Sequence, residues 1–395
     1  MPELRSKTEL LIIGAGPFGL ALAAQAQHDH IEHLIVGKPM EFWRANMPKG
    51  MLLRSACDWH LDPQNLHTIE AYLQTQGKTP ADVEPLSLDF YLTYADWFQQ
   101  QKNIQPQPVY IERLDYEGGH LVATTANGDT VHAKNIVLAP GFKHFAYIPE
   151  DLKAKLPADS FQHTCEYVDF SDAKDKRFLI IGGRQSAFEW AALLLEAGAA
   201  GVHLSHRHAS PAFAVADWSW IKPLVDNMVE DPTWFRRLSQ KEKDDISYHM
   251  WSEGRLKIEP WLEQRLQDER VKVWPQTEIA VCCVNENGEL AVVLTNGEAI
   301  KVDQIILATG YKVDIARSPI LAAGNLLTHI ETRNGFPVLD DHFETSVPGL
   351  FITSMPAVQD FGPFFGFTNS VRTSARLICR RLMQQTAIGY RDVVL

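Results

Sequence analysis

The chain has 395 residues, room for two or three domains at roughly 150 residues each, and 45% hydrophobic with 22% charged residues is a composition that buries cores and excludes disorder and fibres. A formal net charge of −12 works against non-specific binding to nucleic acid or an anionic membrane, although a local basic patch can still take one phosphate. Cys57, Cys165, Cys282, Cys283 and Cys379 include no C-x-x-C, so they indicate neither a disulfide framework nor a zinc site, and they fit a reducing cytoplasm.

No run of apolar residues is long enough to span a membrane. The first apolar run is broken by Gly14, Gly16, Pro17 and Gly19 and reads as part of the fold rather than as a signal peptide. These residues end a short strand, LIIG, with a G-x-G-x-x-G turn and open an Ala/Leu-rich helix that includes Phe18. In such a unit the first glycine makes the turn, the second lets a pyrophosphate approach and the third lets helix and strand pack closely. A plain tight turn in an α/β core is the simpler alternative. The following strand, HLIVGKPM, has Gly37 where an acidic residue for the adenosine ribose is expected, which leaves Glu41 or a backbone group for that contact.

The chain then repeats itself. LIIGAGPFGLALAA from Leu11 is echoed by LIIGGRQSAFEWAALL from Leu179, an offset of 168 residues by subtraction, so a second strand–turn–helix unit is expected. Gly182 and Gly183 keep the turn and Ala187 is suitably small, but Arg184 replaces the second glycine and either obstructs a phosphate or binds it bidentately. Gln185 and Ser186 follow, with helix capping by Ser186 as the plainer role. The next strand ends in Ser205, His206, Arg207 and His208, where a 2′-phosphate reader would sit, and Arg207 is the candidate. The spacing of His203, His206 and His208 suggests a metal, but strand alternation sends His203 and His206 to opposite faces.

Residues 213–266 are helical in character, with Trp218, Trp220, Trp234 and Trp251 serving as a lid or as packing. Two apolar strands precede small-residue turns, one at Gly141 and one at Thr309, Gly310 and Tyr311. Near the end, Gly362, Pro363 and Gly366 shape a turn before a helix carrying Arg372, Arg376 and Arg380, expected on its solvated face.

Together GAGPFG, GGRQSA and LATGY make the chain resemble the flavoproteins with two dinucleotide-binding domains, most closely the class B flavin monooxygenases. That family includes flavin-containing monooxygenases, Baeyer–Villiger enzymes and lysine/ornithine N-hydroxylases. Residues 50–73 and 86–98 are similar to the N-hydroxylase branch, with Leu88 where an arginine is common. FQHTCEYVDF is similar to the family's F-x-G-x-x-x-H-S/T fingerprint, from which only His163, Thr164 and Tyr167 carry over.

The resemblance implies an α/β fold of two Rossmann-like domains. An NAD(P) domain, 171–301, with its Trp-rich insertion, sits within a discontinuous FAD domain, 1–170 and 302–395. It implies FAD held by Gly14, Gly16, Pro17, Phe18, Gly19, Glu41, Trp43 and Gly141, and by Asp360, Gly362, Pro363 and Phe364 from the returning segment. It places NADPH or the domain junction at Gly182, Gly183, Arg184, Gln185, Ser186, Arg207, Thr309, Gly310 and Tyr311, and puts Arg54, Ser55 and Asp58 beside the flavin or substrate.

The implied reaction is reduction of FAD by NADPH, addition of dioxygen at the flavin C4a, and transfer of one oxygen atom from the peroxyflavin to a small nitrogen, sulfur or carbonyl compound. The rivals are a flavin-dependent reductase without redox cysteines and a non-enzymatic flavin-bound sensor or scaffold. Substrate, NADPH against NADH, and oligomeric state stay open.

Overall fold

The computed structural model describes residues 5–286 and 288–393, with side chains through residue 385; the ends of the expected first domain, residues 1–4 and 394–395, lie outside the described residues. In the first sheet the strands run His33–Val36, Lys7–Ile13, Thr130–Leu138, His120–Thr125, Ile111–Glu117. The first three are parallel, and Leu10, Leu11 and Ile12 are fully buried, as an apolar run covered on both faces requires. The far edge of Thr130–Leu138 is shared. Its first half pairs antiparallel with His120–Thr125 and its second half parallel with the returning strand Leu350–Ile352.

The second sheet is wholly parallel, in the order Val271–Pro275, Gly201–His206, Arg177–Ile181, Gln304–Leu307, Phe161–His163. It therefore extends beyond the expected limits at 171 and 301, because strands on both sides of those positions pair with Gln304–Leu307 or belong to it. The polar stretch around 171–176 is a loop inside the second domain, between two of its strands, not the link between domains.

The two glycine turns are geometrically alike. Gly14 N–H donates to the Val36 carbonyl and Gly182 N–H to that of Ser205, each at 2.9 Å. Both glycines have positive φ, +109° and +143°, and a Cβ on either would come within 2.5 Å of the carbonyl oxygen of Ala139 or Ala308. The echo in sequence is thus an echo in backbone demand, since only glycine fits both the conformation and the space.

Two expectations change here. Ile221, Val225, Met228, Phe235 and Met250 of the helical insertion join the hydrophobic core of the first domain, whereas Ile258 and Leu262 join that of the second. The insertion leaves the second domain and packs on the first. Arg372, Arg376 and Arg380 are not on a solvated face: their guanidiniums donate to the carbonyls of Asp58, Pro63 and Val229, and Arg372 is only 6% exposed. Each supplies a hydrogen-bond donor to a loop carbonyl.

Candidate active site

A cavity of about 480 Å³, within the range of small-molecule and cofactor sites, opens above the first glycine turn and reaches the second domain. Gly14, Gly16, Pro17, Phe18 and Gly19 line it, as do Glu41, Trp43, Gly141, Ser55, Ser186 and Tyr311. The turn is shaped for close approach. A Cβ on Gly16 would meet nothing within 4 Å, while one on Gly19 would lie 1.8 Å from the Gly14 carbonyl oxygen. Pro17 opens the helix Pro17–His28, where its missing N–H costs nothing, and the first turn, Pro17 to Gly19, lines the cavity.

Gly37 is explained by space. With φ at +119°, its Cβ would stand 3.3 Å from the Ala15 nitrogen, so the strand end is folded over the glycine turn and carries no acidic side chain. A carboxylate on the cavity wall is Glu41, which accepts a hydrogen bond from the Tyr110 hydroxyl and lies 3.8 Å from Lys38 Nζ. Lys38 and Tyr110 also line the cavity, and neither stood out in the sequence. Tyr110 is brought in by the bridge between Val36 and Gln107, a long-range pairing with no local signature. The buried Ser318 hydroxyl, also on the cavity wall, has no hydrogen-bond partner among the described residues, as expected where a polar ligand completes the site. Bare glycine backbone, a helix N-terminus and an orphaned hydroxyl together fit a bound dinucleotide.

The junction is held by the second strand-end turn. His163, fully buried, meets the Gly310 carbonyl at 3.0 Å, Tyr147 N–H donates to the same oxygen at 2.9 Å, and Thr309 Oγ1 donates to the Tyr147 carbonyl. Tyr311 packs edge-on to His163 and Phe142. Burial pushes the Tyr311 phenol up and the His163 imidazole down, which favours the neutral form of both. Thr309 and Gly310 are thus junction residues and only Tyr311 reaches the cavity. Trp190, missed in the sequence, lines it from the helix Gln185–Glu196 while its indole N–H donates to the Tyr167 carbonyl at 2.7 Å.

Several expected contacts are engaged elsewhere. Asp360 accepts from Arg333 at 2.8 Å and from Leu339 N–H at 2.9 Å and does not line the cavity. Gly362, Pro363 and Phe364 also lie off it, with Phe364 buried against Trp220; Gly366, Phe367 and Thr368 take their place on the wall. The returning segment meets the cavity at Ser354 and again from Gly366, because the short turn Pro363–Gly366 intervenes before the last helix.

Arg54 does not face the cavity either. It donates to Glu259 Oε1 at 2.7 Å and to the carbonyls of Gly254 and Glu253, and its guanidinium lies 5.1 Å from the Trp218 ring centre. Asp58, whose carboxyl burial pushes above its ordinary range, does not line the cavity either. Of this trio only Ser55 lines the cavity.

In the second turn, Arg184 rather than Ser186 occupies the N-cap position of the helix Gln185–Glu196. Gly183 backs against the His206 ring, where a Cβ would approach to 2.3 Å. Gln185 accepts from Glu259 N–H at 3.1 Å, and Arg207 is exposed. None of Gly182, Gly183, Arg184, Gln185 or Arg207 lines the main cavity. His203 meets Trp274 Nε1 at 3.1 Å, away from the His206–His208 stack.

A model of the pyridine nucleotide-disulphide oxidoreductases matches residues 11–243, and a second model of the same description matches residues 249–353. The chain belongs to that family. An uncharacterized CzcO-like oxidoreductase of Geobacillus kaustophilus is 22% identical over 360 residues, 88% of this chain and 91% of the relative. Among solved structures, the ornithine N-hydroxylase of Kutzneria sp. 744 superposes with a TM-score of 0.79 at 14% identity, over 96% of this chain and 100% of that one. The L-lysine 6-monooxygenase of Pseudomonas syringae gives 0.73 at 19%, over 95% and 99%. At such identities the likeness establishes the fold, two dinucleotide-binding domains over the length of the chain.

Proposed function

We propose that the protein is an FAD- and NADPH-dependent monooxygenase that places one oxygen atom of dioxygen on a small nitrogen, sulfur or carbonyl compound. The observation that carries this is the cavity lined by the first glycine turn and, across the junction, by Ser186 and Trp190 of the second domain. FAD, when bound, supplies the electron transfer from NADPH and the activation of dioxygen. The chain's own part is to bind, orient and exclude water. Gly14, Gly16 and Gly19 with the helix N-terminus hold the pyrophosphate, and Glu41, Trp43, Gly141 and Gly366–Thr368 border the rest. Gly182, Gly183, Arg184, Ser186 and Arg207 hold NADPH, with Tyr311 between the domains.

Transfer of electrons to a disulfide is the reading that the family description suggests. It is disfavoured because all five cysteines are free and none lines the cavity; Cys57 is buried, with its thiol pushed up by burial and by Glu84. No helix among the described residues is long and apolar enough to cross a membrane, and we place the protein in the cytoplasm on its free cysteines.

Anaerobic mixing with NADPH tests the reading. Flavin absorbance should bleach, and readmission of isotope-labelled dioxygen with amine, thioether or ketone substrates should put one labelled atom into product. Absence of bleaching removes both nicotinamide-dependent readings. Bleaching that yields only hydrogen peroxide across the substrate panel favours a reductase.

A further inference from the structure

The cavity has two ends of unlike chemistry. Among the described residues its charged lining is Lys38, Glu41 and Lys143, with His144 next to Lys143. These belong to one end. Lys38 Nζ lies 3.8 Å from Glu41, and Phe42 packs on Phe142 with ring centres 5.8 Å apart, which brings the segment carrying Lys143 alongside. The end bordered by the second domain is lined instead by Met51, Ser55, Trp59, Trp190 and Phe367. Contacts behind the wall join these segments. Leu52 N–H donates to Glu189, the neighbour of Trp190, at 3.2 Å, and Arg372 of the last helix donates to the carbonyl of Asp58, next to Trp59, at 3.0 Å. Trp59 is buried, whereas Phe367 is 46% exposed and carries apolar surface from the cavity to solvent.

Charged side chains flank this end, but among the described residues none lines it. Arg54 directs its guanidinium to Glu259 and to the carbonyls of Gly254 and Glu253. Glu189, fully buried, accepts from Leu52 N–H and pairs with Arg265 at 3.1 Å. Arg372 is committed to the Asp58 carbonyl, and Asp58 itself is off the wall. Ser55, Ser186 and Thr368 offer hydroxyls, which hydrogen-bond a neutral group without balancing a charge. A carboxylate or ammonium brought to this end would lose its water without gaining a counter-charge, which is strongly unfavourable. An uncharged apolar body incurs no such penalty and is favoured by covering the Met, Trp and Phe surface.

We propose that the substrate is an uncharged, largely apolar compound rather than a zwitterionic amino acid, and that Ser55, Trp59 and Phe367 are its specificity-determining residues. The proposal rests on the FAD reading above. With the pyrophosphate on the first glycine turn, adenosine takes the charged end at the close of the second strand, and the flavin ring and substrate share the uncharged one. The fold is shared with an ornithine N-hydroxylase, but a fold does not select a substrate, whereas unpaired charge at a site rejects one.

Flavin difference spectra of the oxidised holoenzyme decide it, titrated with methyl phenyl sulfide, 4-(methylthio)benzamide, 4-(methylthio)benzoate, L-methionine and L-ornithine. The amide and the carboxylate have the same shape and the same sulfur, so that pair isolates charge. Both neutral sulfides should bind roughly tenfold or more tighter than the benzoate, the scale of one missing charge-assisted contact, and the two amino acids should bind no better than the benzoate. Phe367→Arg should remove most of the amide-over-carboxylate preference, while Phe367→Gln should weaken the neutral sulfides and keep the preference. Ser55→Lys repeats the test from the other side of the wall should Phe367→Arg lose flavin. Binding of the benzoate or of either amino acid as tight as that of the amide, no binding of the neutral sulfides, or a preference that the introduced cation leaves intact would overturn the proposal. A chain that holds flavin and is bleached by NADPH yet prefers the charged probes loses only the substrate assignment. A chain that retains no flavin loses the FAD reading, and this proposal with it.

Discussion

At the scale of single residues, the first glycine turn separates two demands that one motif combines. Gly16 has φ −81°, open to any residue, and faces empty space, so its requirement comes from a ligand. Gly19 is required by the chain itself, because its missing Cβ would overlap the Gly14 carbonyl. Gly16→Ala should therefore fold with a nearly unchanged melting temperature but retain far less flavin after gel filtration. Gly19→Ala should lose about 1–3 kcal/mol or more of stability from overpacking. Equal flavin retention in Gly16→Ala and the unsubstituted protein would remove Gly16 from the cofactor site. These glycines were legible because their spacing in one short segment is a local pattern. The partner of Glu41 was not, because Tyr110 lies 69 residues away and arrives only through the sheet.

At the scale of elements, the repeated strand–turn–helix unit was read correctly from its pattern, and the errors fall where an element's neighbour decides its role. Arg372, Arg376 and Arg380 follow helical spacing whether they face water or loop carbonyls; only the packing of residues 58–63 and 225–229 against the last helix distinguishes these. The turn before that helix shows the same limit. Asp360 has the composition of a ligand contact, yet it pins the segment Val358–Phe361 to Arg333 and Leu339. Asp360→Asn keeps an acceptor for Leu339 N–H but gives up the charge, so it should cost about 1–2 kcal/mol, the scale of hydrogen bonds to charged groups. A urea titration beside a flavin-to-protein absorbance ratio checks this. Lowered stability with the ratio unchanged is expected, and a large loss of flavin at unchanged stability would restore Asp360 to the cofactor site.

At the scale of the whole molecule, acidity bears on stability through histidines that folding keeps neutral. The fold class and its duplicated organisation were legible because buried parallel strands and glycine turns recur in sequence. Burial of individual polar groups was not, since it depends on both domains and the insertion closing over them. His60 lies under the last helix, 6% exposed, and burial followed by the positive charge of Arg372 pulls its pKa down to about 3. His163, His203 and His206 in the second sheet are shifted down as well, each mainly by burial. The unfolded chain takes up these protons near pH 6.5, and the folded protein does not. Below that pH the unfolded state binds more protons, so stability falls as pH drops from about 6.5 toward 3; above it these groups contribute no pH dependence. Asp62 acts in the same direction. Lys102 and the backbone N–H groups of His67 and Gln64 outweigh burial and hold its carboxyl below the usual range, so its contribution is lost in acid. Urea midpoints should be level from pH 8 to 7 and decline through pH 6 to 5. His60→Gln should reduce the slope by up to one proton, about 1.4 kcal/mol per pH unit. Midpoints that stay level down to pH 5, or a slope that His60→Gln leaves intact, would show that His60 does not remain neutral within the fold.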